Sequence, residues 1–236
     1  MNRNAYRTGL RRGFPVGIGY FSVSFGFGAM TAAEGIRALD ATLISLTNFT
    51  SAGQFAGVTL ILAGTGLWEV ILTQIVINSR YALMGLALSQ RLGKEIGLLP
   101  RLFISFIDSD ELFALAMAEP GKLTPSFMAG LGLAPVLGWV GGTLCGALAG
   151  AVLPLSVRTA LGVMLYGMFV AIVVPPAKKD KPVLAVVLLA LVLSCLMAWM
   201  PVLREVSPGV AIVLCTVAAA GIGAWLFPIP DPEVAA

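Results

Sequence analysis

Apolar residues fall in eight runs along the chain, at about 13–33, 41–63, 67–88, 99–118, 124–153, 157–174, 183–200 and 208–227. A bilayer crossing takes about 20 helical residues, so each run is a candidate membrane segment. The runs 183–200 and 208–227 contain no charge and begin or end at proline and tryptophan, as bilayer helices do. The first four runs differ, because polar and charged residues sit inside them. In 41–63 the interruption is Thr47-Asn48-Phe49-Thr50-Ser51-Ala52-Gly53-Gln54, and in 99–118 it is Asp108-Ser109-Asp110-Glu111.

Charge placement bears on how many runs cross. Ten of the fifteen cations lie in three clusters: Arg3, Arg7, Arg11 and Arg12; Arg91, Lys94 and Arg101; and Lys178, Lys179 and Lys181. The positive-inside rule wants all three in the cytoplasm. Three apolar runs separate each cluster from the next, and an odd number of crossings cannot return the chain to the same side. Two topologies follow: eight plain crossings that break the rule, or a chain in which 41–63 and 99–118 are broken and do not cross. Non-helical backbone at membrane depth is tolerated only where protein encloses it or it lines a wet cavity. The N-terminal arginines ahead of an apolar run resemble a signal peptide. With seven more apolar runs behind it, a retained signal-anchor helix is expected.

Composition closes off other classes. The chain has 236 residues, 58% of them hydrophobic and 11% charged, with a net charge of +3. A soluble domain carries about 25% charged residues, so an ordinary soluble enzyme, a nucleic-acid binder and a disordered chain are all excluded. The expected fold is an all-α, polytopic helical bundle of six to eight membrane segments, some broken or re-entrant. It forms one transporter domain over residues 1–236. A 120-residue shift aligns Pro15-Val16 with Pro135-Val136, Gly26 with Gly146, Ala29 with Ala149 and Phe49 with Phe169. That allows repeats at about 13–120 and 124–227, inverted if one intervening run fails to cross, or simply a shared membrane composition. There is no histidine, so a proton relay must use carboxylates. Cys145, Cys195 and Cys215 match no metal or redox spacing and read as buried small hydrophobes. No phosphate-binding glycine loop is present, and no cofactor or metal is expected.

Gly17, Gly19, Gly26 and Gly28 with Ser22 and Ser24 give the first run a thin face. It serves either close helix packing or a substrate path walled by Phe25 and Phe27. Asn48, Thr50, Ser51 and Gln54 are costly in hydrocarbon unless paired, and Gly53 permits a break. A break would expose N–H groups at the start of a second half-helix, about 53–63, which suits a carboxylate; bonding between helices is the alternative. Arg80 lies about 12 Å from the end of its run, at 1.5 Å per residue, so it needs a partner within the protein. A hairpin turning near Lys94 would set Arg80 level with Asp108. On a continuous helix Asp108 and Glu111 share a face while Asp110 points away. The pair either locks two helices or binds a charged substrate. A carboxyl among apolar neighbours favours its neutral form, which suits proton transfer by Asp108, Asp110 or Glu111.

These motifs, FPVGIGYFSVSFGFGAM, SAGQFAGV, NSRYALMGLAL and FISFIDSDELFALAM, resemble in order and spacing the AzlC/YgaZ family, the large subunits of bacterial branched-chain amino-acid exporters. The likeness covers the first 120 residues; beyond that only hydropathy and length agree. Two places depart from the family's habit. Thr50-Ser51-Ala52-Gly53 stands where an alanine and serine often precede the glutamine, and Tyr81 stands where a histidine is common. The resemblance implies a multi-pass protein of the bacterial inner membrane acting with a small membrane subunit of the AzlD/YgaH type. It also makes Ser51–Gln54, Asn78–Arg80 and Asp108–Glu111 the signature positions. A branched-chain amino acid then suggests roles. Its carboxylate takes the half-helix start after Gly53, or Arg80; its ammonium takes Asp108, Asp110 or an exposed carbonyl. Its side chain takes a pocket of Phe25, Phe27, Phe49 and Phe55. Selectivity among Val, Leu and Ile rests on a methylene, worth about 1 kcal/mol, so specificity is broad. A proton-coupled exporter leads. A channel would need rings of charge or carbonyl loops. An intramembrane aspartyl protease would need its two acids on separate helices, so the chain is not expected to be an enzyme.

Overall fold

A computed structural model describes residues 2–93, 96–150, 156, 170 and 173–228. Among these there is no β-strand, and nearly everything is helix. In chain order the helices are α1 (Arg3–Ala33), α2 (Ala38–Thr47), α3 (Ser51–Leu62), α4 (Leu67–Arg91), α5 (Leu98–Phe106), α6 (Asp110–Met117), α7 (Pro125–Gly150), α8 (Lys181–Trp199) and α9 (Pro208–Leu226). Five of them, α1, α4, α7, α8 and α9, are long and apolar enough to cross a bilayer. The run at 157–174 lies almost wholly outside the described residues, as do Lys94 and Phe169.

The two interrupted runs are broken as expected. The run 41–63 becomes α2 and α3, parted by extended backbone at 48–50, and 99–118 becomes α5 and α6, parted at 107–109. Each piece has 8 to 12 residues. At 1.5 Å per residue none exceeds about 18 Å, well short of the ~30 Å hydrocarbon core. The second half-helix begins at Ser51, not at Gly53, so Gly53 lies in the first turn of α3 and does not make the break.

The chain divides into two compact units, one of Met1–Phe55 with Asn78–Tyr166, the other of Ala56–Ile77 with Gly167–Ala236. In the first, α1 packs along α7 on small residues. A Cβ built on Gly9 would strike the Phe127 carbonyl, one on Gly13 the Leu131 carbonyl, and one on Gly28 the Thr143 carbonyl. From the other side, Gly130 meets Tyr6, Gly138 meets Gly17 and Gly146 meets Phe25, again backbone to backbone. Such approach is how helices associate where lipid supplies no hydrophobic drive. The thin face of α1 is therefore a packing surface, while Gly19, on its other side, meets nothing. Positions rise together along both helices, so α1 and α7 run parallel. The 120-residue register thus leaves these two helices uninverted with respect to one another.

Side-chain ties fix the remaining directions in this unit. Arg12 pairs with Glu119, and Arg91 donates to the carbonyls of Met117, Glu119 and Gly121. Arg101 donates to the carbonyls of Gly93 and Ile96, and Leu92 lies beside Leu123. The pair α5–α6 therefore enters and leaves at one end, the end that also holds Arg12 and Arg91. It is re-entrant. Arg12 of the first cationic cluster and Arg91 and Arg101 of the second share that end, as the charge rule requires, and Arg91 and Arg101 also tie down loop carbonyls there.

In the second unit α8 and α9 form an antiparallel pair, with Gly223 of α9 against Val186 near the start of α8. Gly209 opens α9 against Glu69 and Thr73, and the buried Thr73 hydroxyl donates to the Gly209 carbonyl at 3.3 Å. No residue of α8 is buried, which fits a helix whose surroundings are apolar on every side. Trp68, Trp199 and Trp225 stand exposed at helix ends, the headgroup depth that tryptophan favours. Of the cysteines, Cys145 is exposed on α7 and Cys195 and Cys215 are half-buried, so the expected burial does not hold. In an apolar surrounding a small hydrophobe loses nothing by that exposure.

Candidate functional site

The two breaks meet. Helix α2 runs against the direction of α7, since Ser45 reaches Thr143 and Phe49, in the break, reaches Trp139. Helix α5 arrives from the opposite end and brings Phe106 to Phe49, ring centroids 6.1 Å apart. Trp139 lies about 21 Å from the start of α7 and about 16 Å from its end at 1.5 Å per residue, so the breaks meet near mid-height of a full helix.

Tyr20 of α1 joins both breaks. Its ring lies 5.7 Å from Phe49 and edge-on to Trp139 at 5.3 Å. Its hydroxyl bonds to Ser109 at 2.7 Å and donates to the Glu111 carboxylate at 2.5 Å. Ser109 is the N-cap of α6, yet its hydroxyl makes no cap bond and is held by Tyr20 instead. Ile107, Leu112, Leu131 and Trp139 enclose this meeting point in one apolar cluster.

The charged groups are arranged around that tyrosine. Arg80 pairs with Asp110 at 2.8 Å, both side chains about half exposed, and its guanidinium lies 5.0 Å over the Tyr81 ring. The expected partner, Asp108, is not the partner. The non-helical stretch between α5 and α6 resets the helical phase, so the rule that put Asp110 on the far face of a continuous helix no longer applies. Asp108 is instead buried, 4% exposed, and neither carboxyl oxygen has a hydrogen-bond partner among the described residues. Glu111 shares the Tyr20 hydroxyl with Ser109.

The 48–54 segment contributes a second polar group. The Ser45 hydroxyl donates to Gln54 Oε1 at 2.9 Å and lies 2.7 Å from the Thr143 hydroxyl, all three buried. These bonds tie α2, α3 and α7 together, so Gln54 carries at least the inter-helix role. Thr50 donates to Asn48 within the break at 2.7 Å. Ser51 and Gly53 form the first turn of α3. Phe55 packs edge-on to Phe27 at 5.0 Å, and both are buried. Phe25 stands apart: its ring neighbour is the exposed Phe21, so it does not join the aromatic group at the breaks. Asn78 is half-buried on α4, two residues before Arg80, and so on a different face.

Tyr20, Ser45, Trp139 and Thr143 were not among the residues singled out from sequence. Trp139 had a signal. A tryptophan 14 residues into an apolar run is far from either headgroup layer, and needs some reason other than anchoring. In the second unit a cavity of ≈ 360 Å³ is lined by Ser194, Met197, Leu203 and Cys215 among others, with no charged group among the described residues. It offers an aliphatic chain a place but gives nothing to a zwitterion.

Five spanning-length helices among the described residues, and two broken segments that meet at mid-height, define a multi-pass membrane protein. The chain belongs to the AzlC family: residues 15–153 match the family described as AzlC protein. It is 32% identical over 175 residues to an uncharacterized membrane protein of Archaeoglobus fulgidus, covering 73% of this chain and 76% of the relative. It is 27% identical over 184 residues to the inner membrane protein YgaZ of Escherichia coli, 75% of each chain. An uncharacterized membrane protein of Helicobacter pylori is 26% identical over 149 residues, 62% of this chain and 64% of that one. No solved structure matches. Family and relatives place the protein in the membrane and support a role in membrane transport, and their names specify no substrate.

Proposed function

We propose that the protein exports branched-chain amino acids, valine, leucine, isoleucine and analogues, as a proton-coupled secondary transporter working with a small membrane subunit of the AzlD/YgaH type. The observation that carries this reading is the meeting of two helix breaks at mid-height around Asp108, the Arg80–Asp110 pair and the Tyr20–Glu111 bond. Four half-helix ends converge there. The N-terminal ends of α3 and α6 carry partial positive charge, and the C-terminal ends of α2 and α5 carry partial negative charge. Helix α6 has Asp110 and Glu111 in its own first turn, whereas α3 has no acid there. The start of α3, with no acid in its first turn, suits a carboxylate, with Arg80 as a second cation. Asp108 and the ends of α2 and α5 suit an ammonium. Phe49 and Phe106 offer an aliphatic side chain apolar neighbours.

Three carboxyls stand against one guanidinium. The surplus supports coupling through a proton carried by Asp108 or Glu111. Cells with and without the gene, fed valine- or leucine-containing dipeptides, test the reading. Internal valine and leucine should accumulate only where the gene is missing. Equal accumulation in the two strains rejects branched-chain export.

A further inference from the structure

Two side chains beside Tyr20 are buried with polar atoms unmet among the described residues, and they are of opposite kind; Gln54 Nε2, near the start of α3, is a further buried donor without a partner there. Trp139 is 3% exposed and its Nε1–H has no acceptor among the described residues. Its ring is fixed between Tyr20 at 5.3 Å and Phe49 at 6.0 Å, so the indole cannot turn outward for a partner without unpacking both. Asp108 is 4% exposed, with both oxygens unmet among the described residues. One residue adjoins both, because Tyr20 stacks on Trp139 and holds Ser109, the neighbour of Asp108. An indole N–H can only donate, and an ionised carboxylate can only accept. Buried polar atoms are nearly always satisfied, so a donor and an acceptor left over on either side of one tyrosine require explanation. Headgroup anchoring does not supply it. The other three tryptophans are 74 to 81% exposed at helix ends, and this one is buried mid-helix.

We propose that Trp139 is a substrate-binding residue whose indole N–H donates to the carboxylate of the transported amino acid while Asp108 accepts from its ammonium. The recognised species is then the free zwitterion. This rests on the amino-acid export reading. It adds a residue outside the motifs SAGQ, NSR and DSDE, and a rule for what is refused: an amine without a carboxylate, or an acid without an ammonium, leaves one of the two buried groups unmet.

The experiment is competition against labelled valine on the purified full-length protein. The competitors are valine, isobutylamine (valine without its carboxylate) and isovalerate (valine without its ammonium). Trp139→Phe keeps a ring for Tyr20 and Phe49 and removes only the donor. It should weaken valine by about tenfold or more and leave isobutylamine unchanged. Asp108→Asn should weaken valine and isobutylamine together and leave isovalerate unchanged. Valine binding that is unaltered in Trp139→Phe, or valine and isobutylamine weakened alike, overturns the assignment. Should that variant fail to fold, the triple variant Trp68→Phe, Trp199→Phe, Trp225→Phe leaves Trp139 as the only indole. Its N–H resonance should shift with valine and not with isobutylamine, and a resonance indifferent to valine overturns the proposal as well. Wild-type protein that binds none of valine, leucine and isoleucine defeats the export reading itself. Wild-type binding with an indifferent Trp139 defeats only the role assigned here.

Discussion

Gly13 and Gly19 lie on one helix, six residues apart, and the same substitution should move the protein in opposite directions at the two. A Cβ on Gly13 would overlap the carbonyl group of Leu131, which is backbone and cannot swing away, so α1 and α7 would have to part. Forcing a methyl into such a contact costs about 1–3 kcal/mol. A Cβ on Gly19 meets nothing, so Gly19→Ala gains only the helix preference of alanine over glycine, about 0.5–1 kcal/mol. Gly13→Ala makes the same helix gain, so the two variants should differ by the clash alone, about 1–3 kcal/mol. At roughly 2–4 °C per kcal/mol for a chain of this size, that is a separation of about 2–12 °C in melting temperature, Gly13→Ala below the parent and Gly19→Ala slightly above. Thermal unfolding of the two proteins in one detergent, followed by circular dichroism, reads this directly. Gly13→Ala melting at or above the parent, or both variants shifting alike, would refute close α1–α7 packing as the reason for the thin face.

Further outcomes bear on the site. A double-mutant cycle of Arg80→Ala with Asp110→Ala should show a coupling of about 0.2–1 kcal/mol, the range for a half-exposed pair, while Arg80→Ala with Asp108→Asn should be additive; melting temperatures of the four variants decide it, and coupling to Asp108 alone would reverse the assignment. Single cysteines at Asn4 and Gly97, in a chain otherwise free of cysteine, should be labelled from the same side of the membrane, and labelling from opposite sides would show that α5–α6 is not re-entrant as described. Collapse of the proton gradient in valine-loaded vesicles should stop efflux, and undiminished efflux would take the carboxyls out of coupling. Tyr20→Phe keeps the stacking on Trp139 and Phe49 and loses both hydroxyl bonds, so it should lower stability by about 1–3 kcal/mol in the same melts; no change would mean that the tyrosine does not hold Ser109 and Glu111.

The breaks were legible because their residues are expensive in hydrocarbon. Asn48, Thr50 and Asp108 cannot stand in a continuous lipid-facing helix, and the parity of the cationic clusters singled out the same two runs. What could not be read was phase. Pairing Arg80 with Asp108 rested on equal distances along helix from a turn near Lys94, whereas α5 ends at Phe106 and the non-helical Ile107–Ser109 stretch re-aims everything after it and gives Arg80 to Asp110. The glycines of α1 announced close approach, but a stripe of small residues does not say whether its partner is another helix or a substrate path. Only the reciprocal glycines of α7, lying backbone to backbone with them, separate the two. Tyr20 and Trp139 escaped notice because each is unremarkable alone. Their meaning comes from a position between two segments that are 28 or more residues from either in sequence.

A break in each of two opposed segments does something that polar side chains on intact helices would not. An intact helix satisfies its own backbone and presents to its neighbours only what its side chains offer. Each break instead frees an N-terminal and a C-terminal end at mid-height, and the sequence treats these ends unequally. The start of α6 is answered by its own Asp110 and Glu111, and these are tied in turn to Arg80 and Tyr20. The start of α3 has no acid in its first turn, and the Thr50–Asn48 and Ser45–Gln54 bonds hold the break and the neighbouring helices. One end thus carries its own acids and the other does not, while Asp108 has no donor among the described residues. A small zwitterion has the complementary charges, one for each place. A simple cation or anion answers only one of them, so on the amino-acid export reading the way the two breaks are dressed would set selection between these classes of solute.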